Sequence, residues 1–167
     1  MKYLKFSIVS IIYLIISCEQ KPSLTQNNND TIHYDVIFRE SLAGTYTKHN
    51  ISKNSFGYTY EYTDRGRGPK LSEKISLNEQ NFIIQQSITG VNYLKDSVDE
   101  KFNSGEKTAS WNNFGVKNNG KFNGDQLYFR HNGSPATYEI LAGLLLASEN
   151  KKVSLYPQGE VELIEEL

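Results

Sequence analysis

The sequence predicts a mainly β fold, a curved antiparallel sheet or partly open β-barrel with one helix packed across it. Three observations carry that expectation. Apolar and polar residues alternate in run after run from Thr31 onward, turn residues break the runs about every ten residues, and one stretch at about 135–148 switches to helical spacing. Strands at that spacing, joined by short turns, make an antiparallel meander.

The elements follow in chain order. Ile32, Tyr34, Val36 and Phe38 alternate with His33, Asp35, Ile37 and Arg39, the pattern of a half-buried strand. Gly44 marks a turn or bulge, and Thr45 to Lys48 continue as a second strand. Phe56, Tyr58, Tyr60 and Tyr62 put four aromatics on one face, with Ser55, Gly57, Thr59 and Glu61 on the other. Leu71, Glu73, Ile75 and Leu77 alternate again, followed by Phe82, Ile84, Gln86 and Ile88. Val98, Glu100 and Phe102 form a further candidate, as do Ala109 to Trp111 and Leu127 to Phe129.

Turn chemistry separates these runs at 64–69, 78–80, 89–90, 103–106 and 118–125. Ser134-Pro135 then supplies a cap and a first-turn proline, and Tyr138, Leu141, Ala142 and Leu145 follow at helical spacing. Ile140, Leu144 and Leu146 make this helix apolar nearly all round, so it plugs or covers the open face of the sheet. Two short strands, Val153 to Tyr156 and Val161 to Ile164, close the chain around Pro157-Gln158-Gly159.

The first residues are of another kind. Lys2 and Lys5 precede an apolar run from Phe6 to Ile16, which as a helix rises only about 16 Å against a bilayer core of roughly 30 Å. That is the layout of an export signal rather than a spanning helix. The run ends Ile15-Ile16-Ser17-Cys18, which resembles a bacterial lipoprotein box. The resemblance implies a signal peptide at 1–17, cleavage before Cys18 and acylation of Cys18, so that the mature chain is anchored in a lipid bilayer of the bacterial cell envelope. Two or three acyl chains make a stable anchor, where one binds only reversibly. Residues 19–30 are polar, with Pro22 and Asn27-Asn28-Asn29, and read as a flexible tether. Residues 31–167 form a single β-rich domain.

Composition removes several function classes. A formal net charge of −1 takes away the electrostatic case for a nucleic-acid partner. A mean hydropathy of −0.54 excludes a polytopic membrane protein. One cysteine permits no intrachain disulfide and no Cys-based zinc site. The three histidines, His33, His49 and His131, lack metal-ligand spacing, and neither a Gly-x-Ser-x-Gly elbow nor a phosphate-cradling glycine loop is present. No metal and no cofactor is expected.

Three features hold what chemistry there is. Asp64-Arg65-Gly66-Arg67-Gly68-Pro69 is either a hairpin connection or a rigid loop presenting Arg65 and Arg67 to an anion or partner. Glu100 shares the alternating face of Val98 and Phe102, which points its carboxylate inward, and a buried carboxylate needs a partner. Arg65 or Arg67 is the natural candidate for that pair. Tyr58, Tyr60 and Tyr62 either fill a core or line a groove for a small apolar or anionic ligand.

Several of these runs together resemble a known group. Tyr34-Asp35-Val36, Gly44, Asp64 to Pro69, Gly90, Tyr93-Leu94-Lys95, Val98 to Phe102 and Ala109-Ser110-Trp111 occur in the order seen in exported bacterial amidohydrolase-family proteins. The likeness is to their N-terminal, non-catalytic domain, and it extends through Gly133-Ser134-Pro135 to Leu155 to Gly159. It implies a downstream metal-dependent hydrolase domain whose ligands include a His-x-His pair. None of those ligands occurs in this sequence, so hydrolase activity is assigned to no residue here. Two functional readings follow. One is a membrane-anchored accessory or binding domain; the other is a small hydrolase, or a piece of one, with a site near Glu100 and the Arg65/Arg67 loop.

Overall fold

A computed structural model of the chain describes residues 31–113, 115–130 and 132–164. The expected signal peptide at 1–17, Cys18, the 19–30 tether and His131 lie outside the described residues. Eight strands form one antiparallel meander in chain order: β1 (Thr31–Phe38), β2 (Ser41–Ser52), β3 (Ser55–Tyr62), β4 (Lys70–Leu77), β5 (Ile83–Val91), β6 (Ser97–Ser104), β7 (Thr108–Asn113) and β8 (Val116–Lys121). The sheet does not close into a barrel. Behind it come β9 (Leu127–Tyr128), α1 (Ala136–Ala147), β10 (Lys152–Tyr156) and β11 (Glu160–Glu162), the three strands pairing as a second small sheet.

Cross-strand register turns the alternation of the sequence into rows on the inner face. Tyr34, Tyr46, Tyr60 and Leu71 stand side by side across β1 to β4. The next row runs Lys48, Tyr58, Glu73, Ile88, Glu100 across β2 to β6. A third places Phe56, Ile75, Gln86, Phe102 and Trp111 together. Ile75, Ile88 and Phe102 are each 1% exposed, and burial of such a side chain contributes about 1.5–3 kcal/mol. Every residue of the two core clusters lies between Val36 and Val161, so residues 19–167 contain the whole described core.

The mainly β architecture with one packed helix is as the sequence predicts, and the differences are local. Residues 116–121 form edge strand β8, where turn chemistry alone was expected. An edge strand of Val-Lys-Asn-Asn-Gly-Lys faces water and carries no apolar period to reveal it. The second strand is longer than Thr45 to Lys48, spanning Ser41–Ser52. A register shift between Ser76 and Leu77 pairs Leu77 with Ile83, so Ile83 is buried where Ile84 was expected. The short strand β9 pairs in parallel with β10, and α1 is the crossover between them. Gly44 is required where β2 passes β3, because a Cβ there would overlap the Glu61 carbonyl.

Candidate functional site

The site begins with the segment that leads into α1. Ser134 Oγ accepts from the Ala136 N–H (3.2 Å), and Pro135 accepts from the Tyr138 and Glu139 N–H groups. This first turn is then fastened to the inner face of the sheet by side chains from four strands. Glu73 on β4 accepts from the Ser134 N–H (2.8 Å) and from Gln86 Nε2 on β5 (2.5 Å). Gln86 Nε2 also donates to Thr137 Oγ1 (3.2 Å). Asn132 Nδ2 donates to Glu100 Oε1 on β6 (2.7 Å). From the helix itself, Glu139 accepts from Tyr46 Oη (2.8 Å) and pairs with Lys48 Nζ (3.3 Å), both on β2.

The electrostatics follow from burial. Glu73, Gln86 and Glu100 are 1%, 5% and 3% exposed. Burial pushes the Glu73 carboxyl above the ordinary carboxylate range, against the hydrogen bonds from Ser134 and Gln86 that pull it down. Tyr46 and Tyr58 are pushed upward, first by burial and then by Glu139, which also accepts the Tyr46 hydroxyl. Glu100 Oε2 and Gln86 Oε1 find no hydrogen-bond partner among the described residues.

Glu100 points inward as the alternation predicts, but the expected Arg65–Glu100 or Arg67–Glu100 pair does not form. Asn132 is the donor, and both arginines are exposed on the 63–69 loop. Glu100 sits mid-strand and inward, whereas that loop lies beyond the strand ends. The loop is a tight hairpin: Asp64 and Arg67 exchange backbone bonds of 2.7 and 2.9 Å, with Arg65 (φ 51°) and Gly66 (φ 79°) at the tip. Asp64 Oδ2 accepts from Tyr93 Oη (3.3 Å), and Lys95 Nζ donates to the Gly68 carbonyl (2.8 Å), so the 92–96 loop is laced to it.

The tyrosine row divides. Tyr58 is 2% exposed and belongs to the core, while Tyr60 and Tyr62 are half-buried and line a cleft of about 380 Å³. Leu71, Asn92, Tyr93, Leu94, Asn132 and Gly133 complete its walls, with Pro69 bringing the arginine loop to its border. A larger hollow of about 590 Å³ lies beside Thr45, Thr59, Ser72 and Thr89, but among the sequence-predicted residues it includes only Tyr60. The smaller cleft is the candidate site, since it gathers Tyr60 and Tyr62 and reaches Asn132, the donor to Glu100.

Sequence reasoning singled out Glu100 and passed over Glu73, Gln86, Thr137 and Glu139. The signal for Glu73 and Gln86 was present: each sits between apolar residues in a period-two run, as Glu100 does. Thr137 and Glu139 carried no such signal. No group of three His, Cys, Asp or Glu side chains among the described residues is placed to hold a metal ion.

Fold and site together define a mainly β domain, an open antiparallel meander with one helix pinned across its inner face and an aromatic cleft beside the pin. No protein family, curated protein or solved structure matches the chain.

Proposed function

We propose that this chain is a lipid-anchored protein of the bacterial cell envelope, a non-catalytic binding domain resembling the front part of an amidohydrolase-family protein. Its ligand is small and apolar with an anionic end, held in the cleft between Tyr60, Tyr62, Leu71 and Tyr93. A hydrolase domain of that family is the partner such a module would serve. The observation that supports a binding role is the division of the inner face. Glu73 and Glu100 are engaged by Ser134, Gln86 and Asn132 in fastening the start of α1, while Tyr60 and Tyr62 stay open in the cleft. Aromatic and aliphatic walls favour an apolar body, and the neighbouring Arg65 and Arg67 favour a carboxylate or phosphate.

Trp111 is a poor reporter for this site. It stands on β7, four strands from Tyr60 on β3, about 19 Å measured along the sheet. A Tyr62→Trp, Trp111→Phe variant titrated with a long-chain fatty acid places the indole in the cleft. We expect a saturable fluorescence change, weakened about tenfold by Arg67→Ala; no saturable change overturns the binding reading. The anchor is tested separately: the chain should incorporate a labelled fatty acid and Cys18→Ala should abolish that incorporation, and labelling retained in Cys18→Ala sinks the lipoprotein assignment.

A further inference from the structure

The two ends of the main sheet are unlike. At one end the turns after β2, β4 and β6 are polar apart from Phe82, the exposed large apolar side chains are Ile32 (48%) and Ile51 (50%), and the left-handed non-glycine residue is Asn81 (φ 66°), a residue type that tolerates this conformation. At the other end the 39–40 turn and the 63–69 and 92–96 loops stand together. The Thr63 N–H donates to the Ala43 carbonyl (3.0 Å), and the Gly68 N–H donates to the Tyr93 carbonyl (3.3 Å). Exposed at this end are Ile37 (60%), Phe38, Leu42 (66%), Tyr93 and Leu94 (66%).

The same loops carry Arg39, Arg65, Arg67 and Lys95. Three of the four arginines of the chain are therefore here. The five ion pairs among the described residues are all made by lysines, and none includes these arginines. Arg39 (φ 49°), Glu40 (φ 64°), Arg65 (φ 51°) and Lys95 (φ 74°) hold left-handed backbone positions that glycine or asparagine would fill with less strain, and three of these four are cations. Local backbone preference does not account for Arg39 and Arg65 at these tips, whereas Lys95 is held there by its bond to the Gly68 carbonyl.

We infer that this end docks on the surface of an anionic phospholipid bilayer. The apolar side chains fall in two groups, Ile37, Phe38 and Leu42 flanking the 39–40 turn and Tyr93 and Leu94 in the 92–96 loop, and each group has a cation beside it, with the Arg39 guanidinium 5.2 Å from the Phe38 ring centre. That interleaving suits the boundary between headgroups and acyl chains, where apolar groups enter and guanidiniums meet phosphates in bidentate fashion. Glu40, Asp64 and Asp96 at the same end offset part of the charge, so insertion of Ile37, Leu42 and Leu94 contributes alongside attraction to phosphate. An anchor at Cys18 is compatible with this orientation. The 12 residues of 19–30 reach about 40 Å when extended, more than the roughly 26 Å length of the eight-residue β1. The docking end shares Tyr93 and Leu94 with the cleft, yet it requires neither the acyl anchor nor a cleft ligand.

The test uses residues 19–167, which contain the whole described core and lack Cys18. The chain is sedimented with vesicles of phosphatidylcholine alone and of phosphatidylcholine mixed with phosphatidylglycerol. We expect binding to the anionic vesicles that is about tenfold or more stronger than to the neutral ones and that weakens with salt. Arg39→Gly with Arg65→Gly should abolish most of that preference while leaving thermal stability intact, because glycine suits both backbone positions. Leu42→Ser with Leu94→Ser should weaken binding to both vesicles. Lys53→Gln with Lys107→Gln, at the polar end, should leave binding unchanged. A loss with the lysine pair equal to that of the arginine pair overturns the proposal in favour of diffuse charge attraction. Absence of sedimentation with either vesicle also overturns it.

Discussion

Glu73 and Glu100 stand in one row of one sheet face, separated by Ile88, and each comes from a strand in which a carboxylate interrupts an apolar alternation. Their surroundings nonetheless differ. Glu73 accepts on both oxygens, from Gln86 and from the backbone of Ser134, whereas Glu100 accepts on one oxygen from Asn132. Gly133 lies over Glu73, where a Cβ would come within ordinary contact of both carboxylate oxygens (3.7 and 3.8 Å). Identical local patterns thus produce two burial sites of unequal support. The strands bring the charge inside, and the segment across the sheet decides how well it is held.

Truncation should expose that inequality. Glu73→Ala orphans the Ser134 N–H and loosens the start of α1, and we expect a loss of about 3 kcal/mol in urea unfolding. Glu100→Ala, with one hydrogen bond at stake, should cost about 1.5 kcal/mol. Equal losses would break the comparison. Removing the donor instead sharpens it. Asn132→Ala leaves a buried carboxylate without its partner and should cost about 2 kcal/mol, more than Glu100→Leu, which removes the charge as well.

The pH dependence isolates Glu73. Its folded carboxyl titrates above the ordinary range because it is buried. The folded state therefore binds that proton more tightly than the unfolded chain does. The contribution to stability is fully present below the unfolded value and is lost as pH rises through the folded one. Glu73→Gln removes this loss while keeping an amide to accept from Ser134. The melting temperature of the variant relative to the parent should rise from acid toward neutral pH; a difference independent of pH would show that Glu73 is not the group responsible.

The smallest effect belongs to the partly exposed pin. Lys48 and Glu139 side chains are 27% and 38% exposed, so Glu139→Gln should cost only about 0.5 kcal/mol, with the Tyr46 hydrogen bond retained by the amide oxygen. A loss comparable to that of Glu73→Ala would move the main fastening of the helix from β4 to β2.

The sequence alone determined the mainly β class, the helix near 135–148 and the inward direction of Glu100, because period, turn chemistry and capping are properties of neighbouring residues. It did not reveal β8, whose polar edge needs no apolar period, nor the parallel β9–β10 pair, whose partners meet only after α1 has crossed between them. The partner of Glu100 was likewise a tertiary decision. Arg65 and Arg67 are suitable in charge, yet the β3–β4 hairpin carries them past the end of the sheet, while Asn132, 32 residues along the chain from Glu100, is laid over it by the segment entering α1. Glu73 depends on Ser134 from 61 residues away for the same reason. Alternation fixes which face a side chain takes, but what it meets there is set by how the helix lies on the sheet.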